Sequence, residues 1–306
     1  MFILIFNQLL KMFIIMVLAF ICYKLKIINQ EGNKAISNLL LMVVNPCLII
    51  TAYQIEYEPL LVRGLLISFG AAIAAHIIAI LAAKLFIPAK NNPEYYLDRF
   101  GAVYANCGFI GIPLIYSVLG NEGVFYLTAY MTIFNIFTWT HGLSLLEGSF
   151  SAKQLKEGLS SPMVIATVIA IILFFLQFRI PGTVLDSMNY VADMNTPLAM
   201  MVAGFSVAQA DLKKIFTNFH IYKISLVKLL VVPIAVTLLL YITRASRDIA
   251  YTTLIAASCP TATTMTMMAI RYNKNYTYAS EVFSFTTVLS MVTIPFVIFL
   301  AGFLIP

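Results

Sequence analysis

Apolar residues run along this chain in long blocks separated by short polar stretches. Ten blocks are predicted to be helices, at roughly 3–23, 35–54, 60–83, 98–118, 122–146, 161–179, 183–208, 219–242, 249–270 and 277–304. At a rise of about 1.5 Å per residue, blocks of this length suit a hydrocarbon core of about 30 Å. The stretches between them are loop-sized and leave no room for a soluble domain. The first block reads as a span rather than a cleaved leader. No basic residue precedes its apolar run, Lys11 interrupts it, and no small-residue cleavage site follows.

Two blocks contain helix-breaking and polar residues at their middles: Ala105-Asn106-Cys107-Gly108-Phe109-Ile110-Gly111-Ile112-Pro113 and Ala257-Ser258-Cys259-Pro260-Thr261-Ala262-Thr263-Thr264. A helix that stops inside lipid strands backbone N–H and C=O groups, at several kcal/mol each unless something binds them. The two breaks are also equivalent in position. Five blocks lie on each side of the polar stretch Glu147–Ser161, and marker residues recur at a common offset of about 150. Lys26 corresponds to Arg179, Asn45-Pro46 to Asn195-Thr196-Pro197, Asp98-Arg99 to Arg247-Asp248, Cys107 to Cys259, and Tyr126 to Tyr276. The expected organisation is a first five-helix repeat over 1–147, a short connector over 148–160 and a second repeat over 161–306. Because each half has an odd number of spans, the second enters the membrane inverted, as in many secondary transporters. The expected fold class is an all-α integral membrane protein of ten transmembrane helices, with broken, crossing helices 4 and 9.

Composition agrees: 61% of residues are apolar, 10% are charged, and mean hydropathy is +0.93. The net charge of +6 does not point to nucleic acid, because the basic residues sort by alternate loops. One side holds Lys24, Lys26, Lys34, Lys84, Lys90, Arg99, Lys153, Lys156, Lys213, Lys214, Lys223, Arg271 and Lys274; the other holds Arg63, Arg179, Arg244 and Arg247. The positive-inside rule puts the first group in the cytoplasm and both termini outside a cell membrane. The four cysteines (Cys22, Cys47, Cys107, Cys259) fall inside blocks without metal-ligand spacing and read as small buried residues.

The breaks carry the candidate chemistry. Half-helices that restart near Gly108 and Thr261 would aim free N–H groups and positive dipole ends at the membrane midplane. Such ends favour a carboxylate without a buried basic side chain. Asn106, Ser258, Thr261, Thr263 and Thr264 add amide and hydroxyl groups, and Cys107, Pro113 and Pro260 frame them. The plainer alternative is a pair of proline kinks satisfied by neighbouring helices. Asn135 and Trp139, one turn apart, are either helix–helix contacts or part of the same site. Asn45-Pro46 and Asn195–Pro197 read as kinks, as further site walls or as cation ligands. Asp193, with Asn45, Asn195 and Glu281, is a candidate carrier of a coupling H+ or Na+. Lys228 lies where its side chain can snorkel to the cytoplasmic interface, and His76 and His141 read as helix–helix contacts. No cofactor or metal is expected, and no nucleophile, acid pair or phosphate loop indicates an enzyme.

These residues resemble the auxin efflux carrier family, within the broader group of bile acid/sodium symporter-like proteins. Asn106 through Pro113 looks like its fourth-span crossover, and Ala256–Pro260 followed by Ala269-Ile270-Arg271-Tyr272 looks like its ninth-span crossover. Asn135 and Trp139 match a Gln and a Trp in the fifth span. The resemblance covers essentially the whole chain. It implies a scaffold domain, a transport domain with elevator-like movement, a small organic anion held near Asn106, Asn135, Pro113 and Pro260, and a homodimer. The chain departs from the plant carriers at Ala105, at Ile270-Arg271 and in its short central loop, so a bacterial permease for malate-like acids fits better than an auxin exporter. The rival from another class is a membrane-embedded sensor that binds the same ligand without moving it.

Overall fold

The computed structural model describes residues 2–90, 92–148, 156, 159–210, 215 and 217–305. Residues 149–155, 157 and 158 of the predicted connector, including Lys153, lie outside the described residues, as do Lys213 and Lys214. The described elements are helical. In chain order they are α1 (Phe2–Lys24), α2 (Gln30–Ala52), α3 (Pro59–Phe86), α4 (Tyr95–Val103), α5 (Cys107–Glu147), α6 (Pro162–Phe175), α7 (Gly182–Gln209), α8 (Phe219–Thr243), α9 (Arg247–Ser258), α10 (Thr264–Arg271) and α11 (Tyr276–Ala301).

Local chemistry sets the starts of several helices. The side chains of Asn29, Ser161, Asn218 and Asn275 accept hydrogen bonds from the first turns of α2, α6, α8 and α11. Pro59 and Pro162 stand at first helical positions, where the missing N–H costs nothing. Prolines further along leave a different mark. The π-helical turns Leu40–Val44, Cys107–Gly111 and Val227–Val231 each run into a proline two residues on: Pro46, Pro113 and Pro233. The ring removes one donor and crowds the carbonyl one turn back, and a locally widened turn relieves both.

Seven helices among the described residues are long and apolar enough to cross a membrane: α1, α2, α3, α5, α7, α8 and α11. This differs from ten uniform blocks in three places. The sixth block is a 14-residue apolar helix, α6. The ninth block is two short helices, α9 and α10, separated by five residues of other conformation. The fourth block begins as α4, and its remainder continues with the fifth block as the 41-residue α5. A straight helix of that length would extend about 60 Å, twice a hydrocarbon core. Gly120 instead turns the chain, with φ 62° and ψ −151°. No atom lies within 4 Å of where its Cβ would be, so the backbone angle alone requires glycine.

The arms of α5 form the middle of the molecule, packed by α3, α9 and α6. On one flank α1 lies along the second half of α7, and there Gly204 lets the backbones touch: a Cβ at this position would stand 2.2 Å from the Met16 carbonyl oxygen. Large apolar side chains such as Ile14, Leu66, Ile172 and Ile242 are exposed on the outer faces of α1, α3, α6 and α8. Polar ones, including Asn45, His76, Asp98, Asn106, Lys228 and Glu281, are buried. This inside-out distribution over several apolar helices is that of a multi-pass membrane protein.

Candidate functional site

Helix α4 ends at Val103, and Tyr104 is extended (φ −89°, ψ 119°); α9 ends at Ser258, and Cys259 is extended (φ −59°, ψ 148°). The two extended pieces meet as an isolated antiparallel bridge between Ala105 and Thr261. The Asn106 N–H donates to the Pro260 carbonyl at 2.7 Å, and the Ala262 N–H donates to the Tyr104 carbonyl at 2.9 Å. The Thr261 hydroxyl donates to the Gly101 carbonyl at 2.9 Å, while its N–H donates to the Thr286 hydroxyl of α11 at 3.2 Å. Each stopped helix thus satisfies part of the other's stranded backbone, which the cost of unpaired groups in lipid demands.

Beside the bridge is a cavity of about 190 Å³, below the roughly 300–1,000 Å³ typical of drug-sized ligand sites. Its walls are mostly apolar, with Leu41, Met42, Phe109, Met131, Phe134, Trp139, Met163 and Met267. The polar exceptions are concentrated at the bridge. Asn106 is buried; its Oδ1 accepts from the Phe109 N–H at 3.4 Å, and its Nδ2 has no hydrogen-bond partner. The buried Thr264 hydroxyl is likewise unpartnered. Among the described residues, the backbone N–H groups of Thr263 and Thr264 have no backbone carbonyl as partner, and the Gly108 N–H lies against the Cys107 sulfur. They belong to the starts of α5 and α10, the positive ends of those helices. Asn135 donates through Nδ2 to the Met131 carbonyl at 2.9 Å. Among the described lining residues none is basic or acidic, so the cavity offers donors, a positive backbone field and an apolar wall. That combination can hold a small anion with an apolar part.

A wider groove of about 510 Å³ shares Leu41, Phe109, Thr263 and Met267 with the cavity and extends to Gln30, Asn33 and Lys34 at the start of α2.

Of the residues predicted for the site, Asn106, Cys107, Gly108, Asn135 and Thr263 line the cavity. Ser258, Pro260 and Thr261 do not: the Ser258 hydroxyl donates to the Leu254 carbonyl at 2.7 Å, and the other two serve the bridge. Pro113 is buried two residues beyond the π turn that starts α5. The four residues considered for ion coupling lie elsewhere. Asn195 donates to Asn45 at 2.7 Å, both buried; Asp193 is exposed; and Glu281 is buried beside Asn218 and Asn275. His76 and His141 make local contacts, His76 Nδ1 to the Ala72 carbonyl at 2.8 Å and His141 Nδ1 to the Tyr104 hydroxyl at 2.9 Å. Lys228 does not snorkel. It is fully buried, with its ammonium at the bridge. The lining residues that sequence reasoning missed are Leu41, Met42, Met131, Phe134, Met163 and Met267, and Ser161-Pro162 beside them. Ser161-Pro162 is legible only as a helix start, and the others resemble any apolar residue in a span.

Residues 4–298 match the family described as Membrane transport protein. The chain is 25% identical over 231 residues to a protein of Rhizobium meliloti (strain 1021) named "Putative malonate transporter", covering 72% of each chain. It is also 25% identical over 292 residues to an uncharacterized transporter of Methanothermobacter thermautotrophicus, covering 92% of this chain and 94% of that one. A third relative, an uncharacterized transporter of Methanocaldococcus jannaschii, is 24% identical over 219 residues, covering 65% and 69%.

Proposed function

The chain belongs to the membrane transport protein family, that of the auxin efflux carriers, and from this premise we propose that it is a secondary transporter of a small organic carboxylate, working by alternating access. The observation that carries the reading is the buried, unpartnered Asn106 amide nitrogen, which shares one small cavity with the unpartnered Thr264 hydroxyl and the first residues of α5 and α10. Donors kept dry and unpaired cost about 1–3 kcal/mol each, a cost that a carboxylate would offset on binding. The relative named for malonate supports a short-chain acid as the substrate.

In this reading α4 with the first arm of α5, and α9 with α10, are the broken fourth and ninth spans of a ten-span inverted repeat. The hydrogen bond between Asn45 and Asn195 supports it, because these residues hold equivalent positions in the two halves. The bridge with its half-helices moves as the transport element, elevator-like, against the remaining helices. The groove that reaches Lys34 is the approach from the cytoplasm, where the basic loops lie.

The test is counterflow of labelled malonate, and of other short mono- and dicarboxylates, in proteoliposomes. The wild-type chain is expected to show saturable exchange, and Asn106→Ala to lose it while remaining folded by thermal denaturation. Undiminished exchange by that variant would remove the site. Saturable binding with no counterflow by the wild type would make the protein a sensor instead.

A further inference from the structure

Lys228 lies in the π turn Val227–Val231 of α8 and has no exposed surface. Its Nζ donates to the Val103 carbonyl at 3.4 Å and to the Ala257 carbonyl at 3.3 Å. Val103 is the last residue of α4, and Ala257 is the penultimate residue of α9. One ammonium therefore joins the carbonyl ends of both helices that stop at the bridge. Among the described residues its hydrogen-bond partners are these two carbonyls and no carboxylate. It does not line the cavity.

A buried ammonium without compensation costs several kcal/mol. Here the compensation is backbone. Each helix C-terminus is equivalent to roughly −0.5 elementary charge, so the two together present about one negative charge to one lysine. In ion-coupled carriers with interrupted helices, such carbonyl ends are where a sodium ion is held. We propose that Lys228 is a tethered cation at this position: it locks α4 to α9 in place of a bound ion, so that the carboxylate site on the opposite, N–H-bearing ends is assembled without sodium. The inference rests on the reading of the bridge as a transport site and assigns Lys228 as its positioning residue.

The full chain is compared with Lys228→Ala, which vacates the ammonium position, and with Lys228→Met, which fills it without charge. Two readouts are taken in choline, sodium and methylammonium chloride: thermal unfolding in detergent, and carboxylate counterflow in proteoliposomes. The wild type is expected to give the same Tm and the same flux in all three salts. Lys228→Ala is expected to lose flux in choline, and its Tm should climb with sodium or methylammonium concentration as the ion binds the folded state, with part of the flux regained. Lys228→Met should lose flux and respond to neither ion. Sodium dependence of the wild type, full flux of Lys228→Ala in choline, or an identical response of the two variants to every salt overturns the proposal. So does failure of Lys228→Ala to be recovered folded in any salt. The unfolding measurements need no substrate, so they decide the role of Lys228 even if the wild type moves no carboxylate and the transport reading itself fails.

Discussion

Among the described residues, Asn106 and Thr264 are the two side chains of the cavity that hold a polar atom dry and unpaired. Such groups destabilise the empty protein and stabilise the occupied one, so their removal should move stability and affinity in opposite directions. Thr264→Val keeps the shape and deletes the hydroxyl. It is expected to raise the Tm of the substrate-free protein slightly and to weaken carboxylate binding about tenfold, or ~1.4 kcal/mol. Thermal denaturation and a binding isotherm on the same sample measure both. A fall in Tm with unchanged affinity would place the hydroxyl in the fold rather than the site. Asn106 was legible as a polar residue close to helix-breaking residues in mid-block. Ser258 and Thr261 had the same signature, yet their hydroxyls are spent on the Leu254 and Gly101 carbonyls. Side-chain direction in an extended break depends on which strand it meets, and a pattern of residue types does not contain that.

At the scale of elements, contact between helices depends on features of unequal visibility. The Asn45–Asn195 pair could be matched through its offset in the repeat, although its mutual hydrogen bond could not be foreseen. Gly204 gave no signal in an apolar stretch, yet a Cβ there would stand nearer to another atom than at any other described glycine. A Cβ there would meet backbone at Met16, and backbone cannot turn aside as a flexible side chain can. Gly204→Ala should push α1 away from α7 and destabilise the protein by about 1–3 kcal/mol, the usual cost of overpacking. Gly70, on the face of α3 with nothing within 4 Å of its Cβ, is the control: Gly70→Ala is expected to leave the Tm unchanged or raise it. Equal Tm values for the two variants would mean that α1 and α7 are not held at this contact.

Over the whole molecule, hydropathy made the crossing segments legible because burial in lipid leaves so few polar residues inside them. It could not distinguish ten separate rods from helices joined through the Gly120 corner or from short pieces meeting at a bridge. Those outcomes depend on backbone partners far apart in sequence, such as Tyr104 with Ala262. In the proposed orientation the groove opens to the cytoplasm, since the exposed Lys34 and Gln30 line it. Ser206 lies in that groove and donates only within its own helix, to the Val202 carbonyl at 2.8 Å, so Ser206→Cys should leave the fold intact. Placed in a chain with Cys22→Ala and Cys47→Ala, it would be the accessible thiol, because Cys107 and Cys259 are buried. A charged, membrane-impermeant maleimide is then expected to label it from the cytoplasmic face of oriented vesicles and not from the outer face. If the bridge moves during transport, a carried acid should change the labelling rate, because groove exposure then tracks the share of molecules open to the cytoplasm. Labelling from the outer face alone would reverse the orientation, and with it the assignment of Lys34 to the cytoplasmic mouth. A rate indifferent to every transported acid would mean that the groove is not part of the path.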